Sequence, residues 1–146
     1  MKHGASFTFG TDSQCQIFLP EDARQLEYHT RLQNLGRSQL ASDNSSAGVN
    51  FLRMLTKNGA LSLGDQKSGE LKPGFAADLI AIDLEHLSLA GSDSESLATD
   101  IIFSSTPDVV TDVWCQGVEV VTGGHHRAEK QAVRNLRRVL RKLRNL

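Results

Sequence analysis

One carboxylate in this chain stands where chemistry could be done. Ala5–Gly10 (A-S-F-T-F-G) alternates Phe7 and Phe9 with small or polar residues and stops at glycine, which predicts a short strand. The polar turn Gly10-Thr11-Asp12-Ser13-Gln14 follows immediately. A carboxylate just beyond the C-terminal end of a strand is where enzymes built on β/α barrels place catalytic groups. Aspartate is a hard oxygen ligand for zinc or iron, and beside a metal-bound water it can take that water's proton. Asp12, Ser13 and Thr11 are equally the residue types that cap turns and helices, so spacing alone leaves both readings open.

The other polar groups form no recognisable constellation. The five histidines, His3, His29, His86, His125 and His126, make neither a His-x-His nor a His-x-x-x-His pair. His3 reads as incidental, and His125-His126, after two glycines, reads as a solvated loop. No Ser-His-Asp order, phosphate-cradling glycine loop or Cys/His zinc pattern is present. Cys15 and Cys115 lie far apart and read as two free thiols in a reducing, cytoplasmic setting.

The elements that must position Asp12 follow from periodicity. Pro20 suits the first helical position, Glu21 and Asp22 suit the first turn, and Ala23, Leu26, Leu32 and Leu35 recur at helical spacing. A helix to Leu35 or Leu40 follows. Ser42–Ser46 breaks the pattern, and Val49, Leu52 and Leu55 mark a second helix over Ala47–Asn58, with one more short turn before Gly64. Past Gly64 the period changes to two. Gly69–Gly74 is a turn-rich connector, Asp78–Asp83 a buried strand, Ser88–Ser96 a loop and Asp100–Ser104 a strand candidate. Val109–Cys115, the Gln116-Gly117 turn and Val118–Thr122 form a hairpin that Gly123-Gly124 closes. The last twenty residues read as an amphipathic helix with Val133, Leu136, Val139, Leu140 and Leu143 on one stripe.

The chain has 146 residues, 39% of them apolar and 23% charged, and a net charge of −1. That composition describes soluble globular sequence and excludes collagen, a long coiled coil and a disulfide miniprotein. It is too short for a complete β/α barrel, which needs at least ~200 residues. The small net charge hides an asymmetry, because residues 127–146 carry +7 and the remainder −8. The tail lacks aromatic residues and any nucleic-acid-recognition signature, so it is expected to pack one face on protein and leave its arginines solvated. No run of ~18 apolar residues exists, and neither a membrane nor a nucleic-acid partner is expected.

Several segments, in order, resemble the C-terminal part of the amidohydrolase superfamily, and most closely its formimidoylglutamate deiminase branch. Phe9-Gly-Thr-Asp-Ser-Gln14 is similar to the turn after the eighth barrel strand. Glu21–Leu32, with Leu26-Glu27-Tyr28, is similar to the helix that follows in the deiminase branch. Thr56–Gly64 and Gly69-Glu-Leu-Lys-Pro-Gly-Phe-Ala-Ala-Asp-Leu-Ile-Ala-Ile-Asp83 resemble the passage from barrel to flanking β-sandwich, and Val109–His126 the sandwich's closing hairpin.

The resemblance implies an α/β fold in three parts. Residues 1–66 would be the last strand and helices of a metal-dependent (β/α)8 barrel, 67–126 the C-terminal part of a flanking β-sandwich, and 127–146 a terminal basic helix. It also implies a metal-dependent hydrolase of non-peptide carbon–nitrogen bonds, with Asp12 as metal ligand and proton shuttle for a Zn2+ or other divalent ion. The implied reaction converts N-formimidoyl-L-glutamate to N-formyl-L-glutamate and ammonia, a step of histidine degradation. Cytosine, guanine and triazine deaminases are the neighbouring branches. The family's remaining ligands, three histidines, and its acid/base glutamate are absent from this chain, and one carboxylate cannot hold a catalytic zinc. The chain is therefore expected to be a fragment from a partial or split gene, inactive alone, with Met1 open to being a true start or an internal methionine. The other expectations are completion in trans by an N-terminal barrel polypeptide, homo-oligomerisation, and a non-catalytic remnant acting as a binding or scaffold protein.

Overall fold

The computed structural model describes residues 5–42 and 45–145; Met1 and His3, named above, lie outside them. Helix α1 covers Leu19–Asn34 and begins as the sequence predicts, with Pro20 in the first turn and Glu21 and Asp22 against the helix dipole. It stops when Leu35 turns left-handed (φ 50°) and its N–H bonds back to the Arg31 carbonyl. Helix α2, Ala47–Leu55, is capped by Ser46, whose hydroxyl accepts from the Val49 N–H at 3.3 Å. Helix α3, Lys57–Ser62, follows after a kink at Thr56.

The buried face of α2 differs from the expected one. Ala47, Gly48, Phe51 and Met54 are buried, whereas Leu52 and Leu55 are only partly covered. Gly48 explains the choice, because a Cβ there would stand 2.4 Å from the Thr99 backbone nitrogen. The chain crosses so closely that only glycine fits. Thr99 belongs to helix α4, Leu97–Phe103, where the sequence predicts a strand over Asp100–Ser104. The correction has a local cause. Asp93 Oδ1 accepts from the Glu95 and Ser96 N–H groups, and Ser96 Oγ accepts from the Asp93 N–H, which winds the chain into a turn ahead of α4. Those backbone donors hold the Asp93 carboxyl below its ordinary range.

Helices α1, α2 and α4 enclose the core of Ala23, Ala47, Phe51, Met54 and Ile102, with Phe9 and Phe103 packed against it. The expected strand Ala5–Gly10 is not formed: the segment has no regular secondary structure, and no strand lies beside it among the described residues. Two side chains pin it to the helices. Thr8 Oγ1 donates to the Met54 carbonyl at 3.0 Å, and Asn58 Nδ2 donates to the Phe7 carbonyl at 2.9 Å.

The β-rich half is one antiparallel sheet ordered β1-β2-β3-β4: Leu79–Ile82, Val110–Cys115, Val118–Thr122 and His125–His126. A short 3-10 turn, Pro107–Val109, leads into β2. No second sheet faces this one among the described residues. The Gln116-Gly117 turn has both φ angles positive (51° and 77°), the geometry that matches the twist of a tight hairpin. Gly123 and Gly124 make a second such turn (φ 55° and 79°), so His125-His126 is a short exposed strand where the sequence predicts a loop.

The Gly69–Asp83 connector stitches the halves together. A Cβ on Gly69 would lie 2.8 Å from the Thr56 carbonyl oxygen, and its φ of 78° is left-handed. Glu70 bridges Lys57 and Lys72, and Asp78 Oδ1 accepts from the Gln116 N–H at 2.6 Å. Those residues are architectural. Helix α5, Glu129–Arg144, ends the described chain, and none of its residues is buried. The expected packing of its apolar stripe on protein is therefore not made among the described residues. Cys15 and Cys115 are free and exposed, as expected.

Candidate active site

Asp12 sits in a tight turn in which the Gln14 N–H donates to the Thr11 carbonyl at 2.7 Å. Its φ of 36° lies in the left-handed region, which aspartate tolerates better than most residues. The turn follows the segment pinned by Thr8 and Asn58, while Phe9 packs at 5.9 Å (centroid to centroid) against Phe51 of the core. The helical core thus fixes where the turn begins, and the Asp12 side chain projects from it exposed to solvent.

Chemically, a single exposed carboxylate can accept a proton or fill one position around a metal. It cannot define a metal centre. Among the described residues no group of three or more His, Cys, Asp or Glu side chains is placed to hold a metal ion. His29, His86, His125 and His126 have local roles instead: His125 Nδ1 lies 2.9 Å from Glu129 Oε2, and His86 Nδ1 lies 2.8 Å from Ser88 Oγ. The residues present do not by themselves fit a catalytic zinc, which needs about three protein ligands.

Two acidic residues beside the turn's helix matter more than the sequence suggests. Glu27, in the Leu26-Glu27-Tyr28 segment, is fully buried. Its carboxylate accepts from Arg31 Nε at 2.8 Å and from the Gln39 and Leu40 N–H groups at 3.1 and 3.2 Å. It therefore ties α1 to the loop that follows it. Its helical position four residues before Arg31 was the only signal, and nothing in the sequence pointed to the two backbone donors. Asp22 has one carboxylate oxygen buried without a partner. Burial, and then its neighbour Glu21, raise its pKa.

The outward face of α1 is bare. Leu32 and Leu35, expected on its core stripe, are 75% and 92% exposed. The core side of the helix is instead Ala23 and Glu27.

This arrangement of an anchored segment, an aspartate turn, packed helices and a small antiparallel sheet recurs in known hydrolases. An amidohydrolase from Brucella melitensis superposes on 96% of this chain with a TM-score of 0.82 and 31% identity, the match occupying 30% of that protein. A zinc-bound adenosine deaminase from Xanthomonas campestris superposes on 94% with a TM-score of 0.76, 22% identity and 30% of its own chain, a likeness of fold.

The profile of the amidohydrolase family matches residues 1–120, and the chain belongs to that family. Formimidoylglutamate deiminase of Pseudomonas aeruginosa is 31% identical over 144 residues, 98% of this chain and 32% of the relative. The 5-methylthioadenosine/S-adenosylhomocysteine deaminase of Halothermothrix orenii is 34% identical over 104 residues, 71% of this chain and 23% of the relative. The chain thus spans a third or less of the length of these curated relatives.

Proposed function

We propose that this chain is the C-terminal portion of a deiminase-type amidohydrolase, and that Asp12 is its contribution to the reaction centre. On this reading residues 1–66 supply the end of a β/α barrel and 67–126 part of the flanking β-sandwich, whose α4 buttresses the barrel helices. Residues 127–146 supply the terminal helix. The reaction is hydrolysis of a non-peptide carbon–nitrogen bond. Water adds at the formimino carbon of N-formimidoyl-L-glutamate, ammonia leaves, and N-formyl-L-glutamate remains. Asp12 would be one ligand of a divalent metal, zinc by analogy with the bound relative, and the remaining ligands come from polypeptide outside this chain. The chain alone is inactive, and its setting is the cytoplasm.

The observation that carries this reading is the placement of Asp12 on a turn held by the core while the surfaces around it stay uncovered. The accessible surface is 10,772 Å², whereas a compact monomer of 16.0 kDa exposes about 7,400 Å². An excess of about 3,400 Å² is on the scale of an obligate interface. Similarity of 31% along 98% of the chain supports the formimidoylglutamate branch, since the nucleoside deaminase matches pair 34% identity with 71% of the chain and 25% identity with 90% of it. Those matches nevertheless support an adenosine-type substrate as the second reading.

The test is a chimera in which this chain replaces the C-terminal third of the Pseudomonas deiminase. It should release ammonia from N-formimidoyl-L-glutamate and not from 5-methylthioadenosine, and Asp12→Asn should lower kcat by about a thousandfold or more. A folded but inert chimera, or zinc-dependent turnover by the 146-residue chain alone, would overturn the reading.

A further inference from the structure

The most uneven charge distribution in the molecule lies outside the candidate site. Residues 73–126 contain nine carboxylates and neither lysine nor arginine, and residues 127–146 then carry +7. At 3.6 residues per turn the cations of α5, among them Arg134, Arg138 and Arg141, occupy one half of its circumference. Val133, Leu136, Val139, Leu140 and Leu143 occupy the other, and all five are 39–59% exposed. Spacings of three, four and three from Val133 through Leu136 and Leu140 to Leu143 make a seam suited to docking on a surface.

The root of α5 is fixed. The Arg127 N–H donates to the Val120 carbonyl at 3.0 Å, and the Ala128 N–H donates to His126 Nδ1 at 3.1 Å. From there sixteen residues extend about 24 Å with none buried. Helix α5 lies beyond the residues that the family profile matches but within the 98% of the chain similar to the Pseudomonas deiminase.

A surface of the opposite character is equally bare in the same chain. The loop 83–96 exposes Leu84 and Leu87, the latter to 93%, among the exposed carboxylates Glu85, Asp93 and Glu95. An apolar seam flanked by arginines and an apolar patch flanked by carboxylates are complementary. Reciprocal exchange between two copies covers both at once, the geometry of a two-fold interface. A second α5 cannot be the receiving surface, because two +6 helices repel. An anionic membrane would draw α5 but repel the acidic remainder of the chain.

We propose that α5 is a dimerisation arm whose apolar seam and arginines dock on the acidic 83–96 loop of a second copy of this chain. The reading does not depend on which substrate the family reaction takes.

Sedimentation of the full chain at micromolar concentration should show a dimer at low salt, weakened tenfold or more in 0.5 M salt. The triple variant Arg134→Glu/Arg138→Glu/Arg141→Glu should be monomeric, and so should Glu85→Lys/Glu95→Lys. Mixed in equal amounts, the two should form a heterodimer, because each then meets a surface of opposite charge. Leu140→Asp, at an exposed position, should be monomeric at every salt concentration with its helical circular dichroism intact, and it decides the matter if a charge variant fails to fold. The proposal is overturned by a wild-type monomer at low salt, by a dimer indifferent to these substitutions, or by folded charge variants that do not pair. A monomer that co-sediments with phosphatidylserine vesicles overturns it in favour of a lipid surface.

Discussion

Glu27 shows how much one side chain can organise without touching chemistry. Three donors converge on its buried carboxylate, two of them backbone N–H groups from the loop after α1. Glu27→Ala leaves those N–H groups unsatisfied and should cost on the order of 3 kcal/mol in urea unfolding. Glu27→Gln keeps an acceptor oxygen and should cost less. Asp12 is the converse case. Its turn was legible in the sequence because Gly-Thr-Asp-Ser after an alternating segment has a local signature. Its role was not legible from the residues alone, because a metal site is defined by several ligands and no such group is assembled among the described residues. Glu27 went unread for a related reason: its partners at 39 and 40 are main-chain groups, which leave no trace in residue types.

At the scale of elements, local signals carried the reading wherever they were complete. Pro20 with its two acids, the alternating run of β2 and the Gln116-Gly117 turn each state their own conformation. Asp100–Ser104 was misread because Ile101-Ile102-Phe103 is a short apolar run that suits strand or helix equally. The turn that decides it lies upstream, at Asp93 and Ser96, within what reads as loop. The burial of α2 on its Ala47–Phe51–Met54 face was illegible as well, since it depends on where α4 crosses Gly48. Gly48→Ala drives a methyl into the α4 backbone and should lower stability by about 1–3 kcal/mol in thermal unfolding. Gly91→Ala, where a Cβ meets nothing within 4 Å, is the matched control and should leave the midpoint nearly unchanged.

Across the whole molecule the decisive quantity is surface. Folding buries less than it would in a compact chain of the same length, because 10,772 Å² remains accessible. Taking about 23,000 Å² for the unfolded chain, the area buried is about one-fifth below that of a compact 16.0 kDa domain. The urea m-value and the heat capacity of unfolding scale with that area, so both should be about one-fifth low when measured on the monomer. Values typical of a compact domain would mean that the exposed faces of α1 and α5 fold onto the body in solution.

The segment pinned by Thr8 and Asn58 has a consequence for assembly. An extended backbone ordinarily loses conformational freedom at the moment it joins a sheet, at about 1–2 kcal/mol per residue. Here Phe7, Thr8 and Phe9 are already anchored to the helices with no sheet beside them among the described residues. Most of that entropy is lost when the helical core folds, before any neighbouring strand arrives. A strand added beside residues 7–9 would thus meet a rigid template, and association there is preorganised.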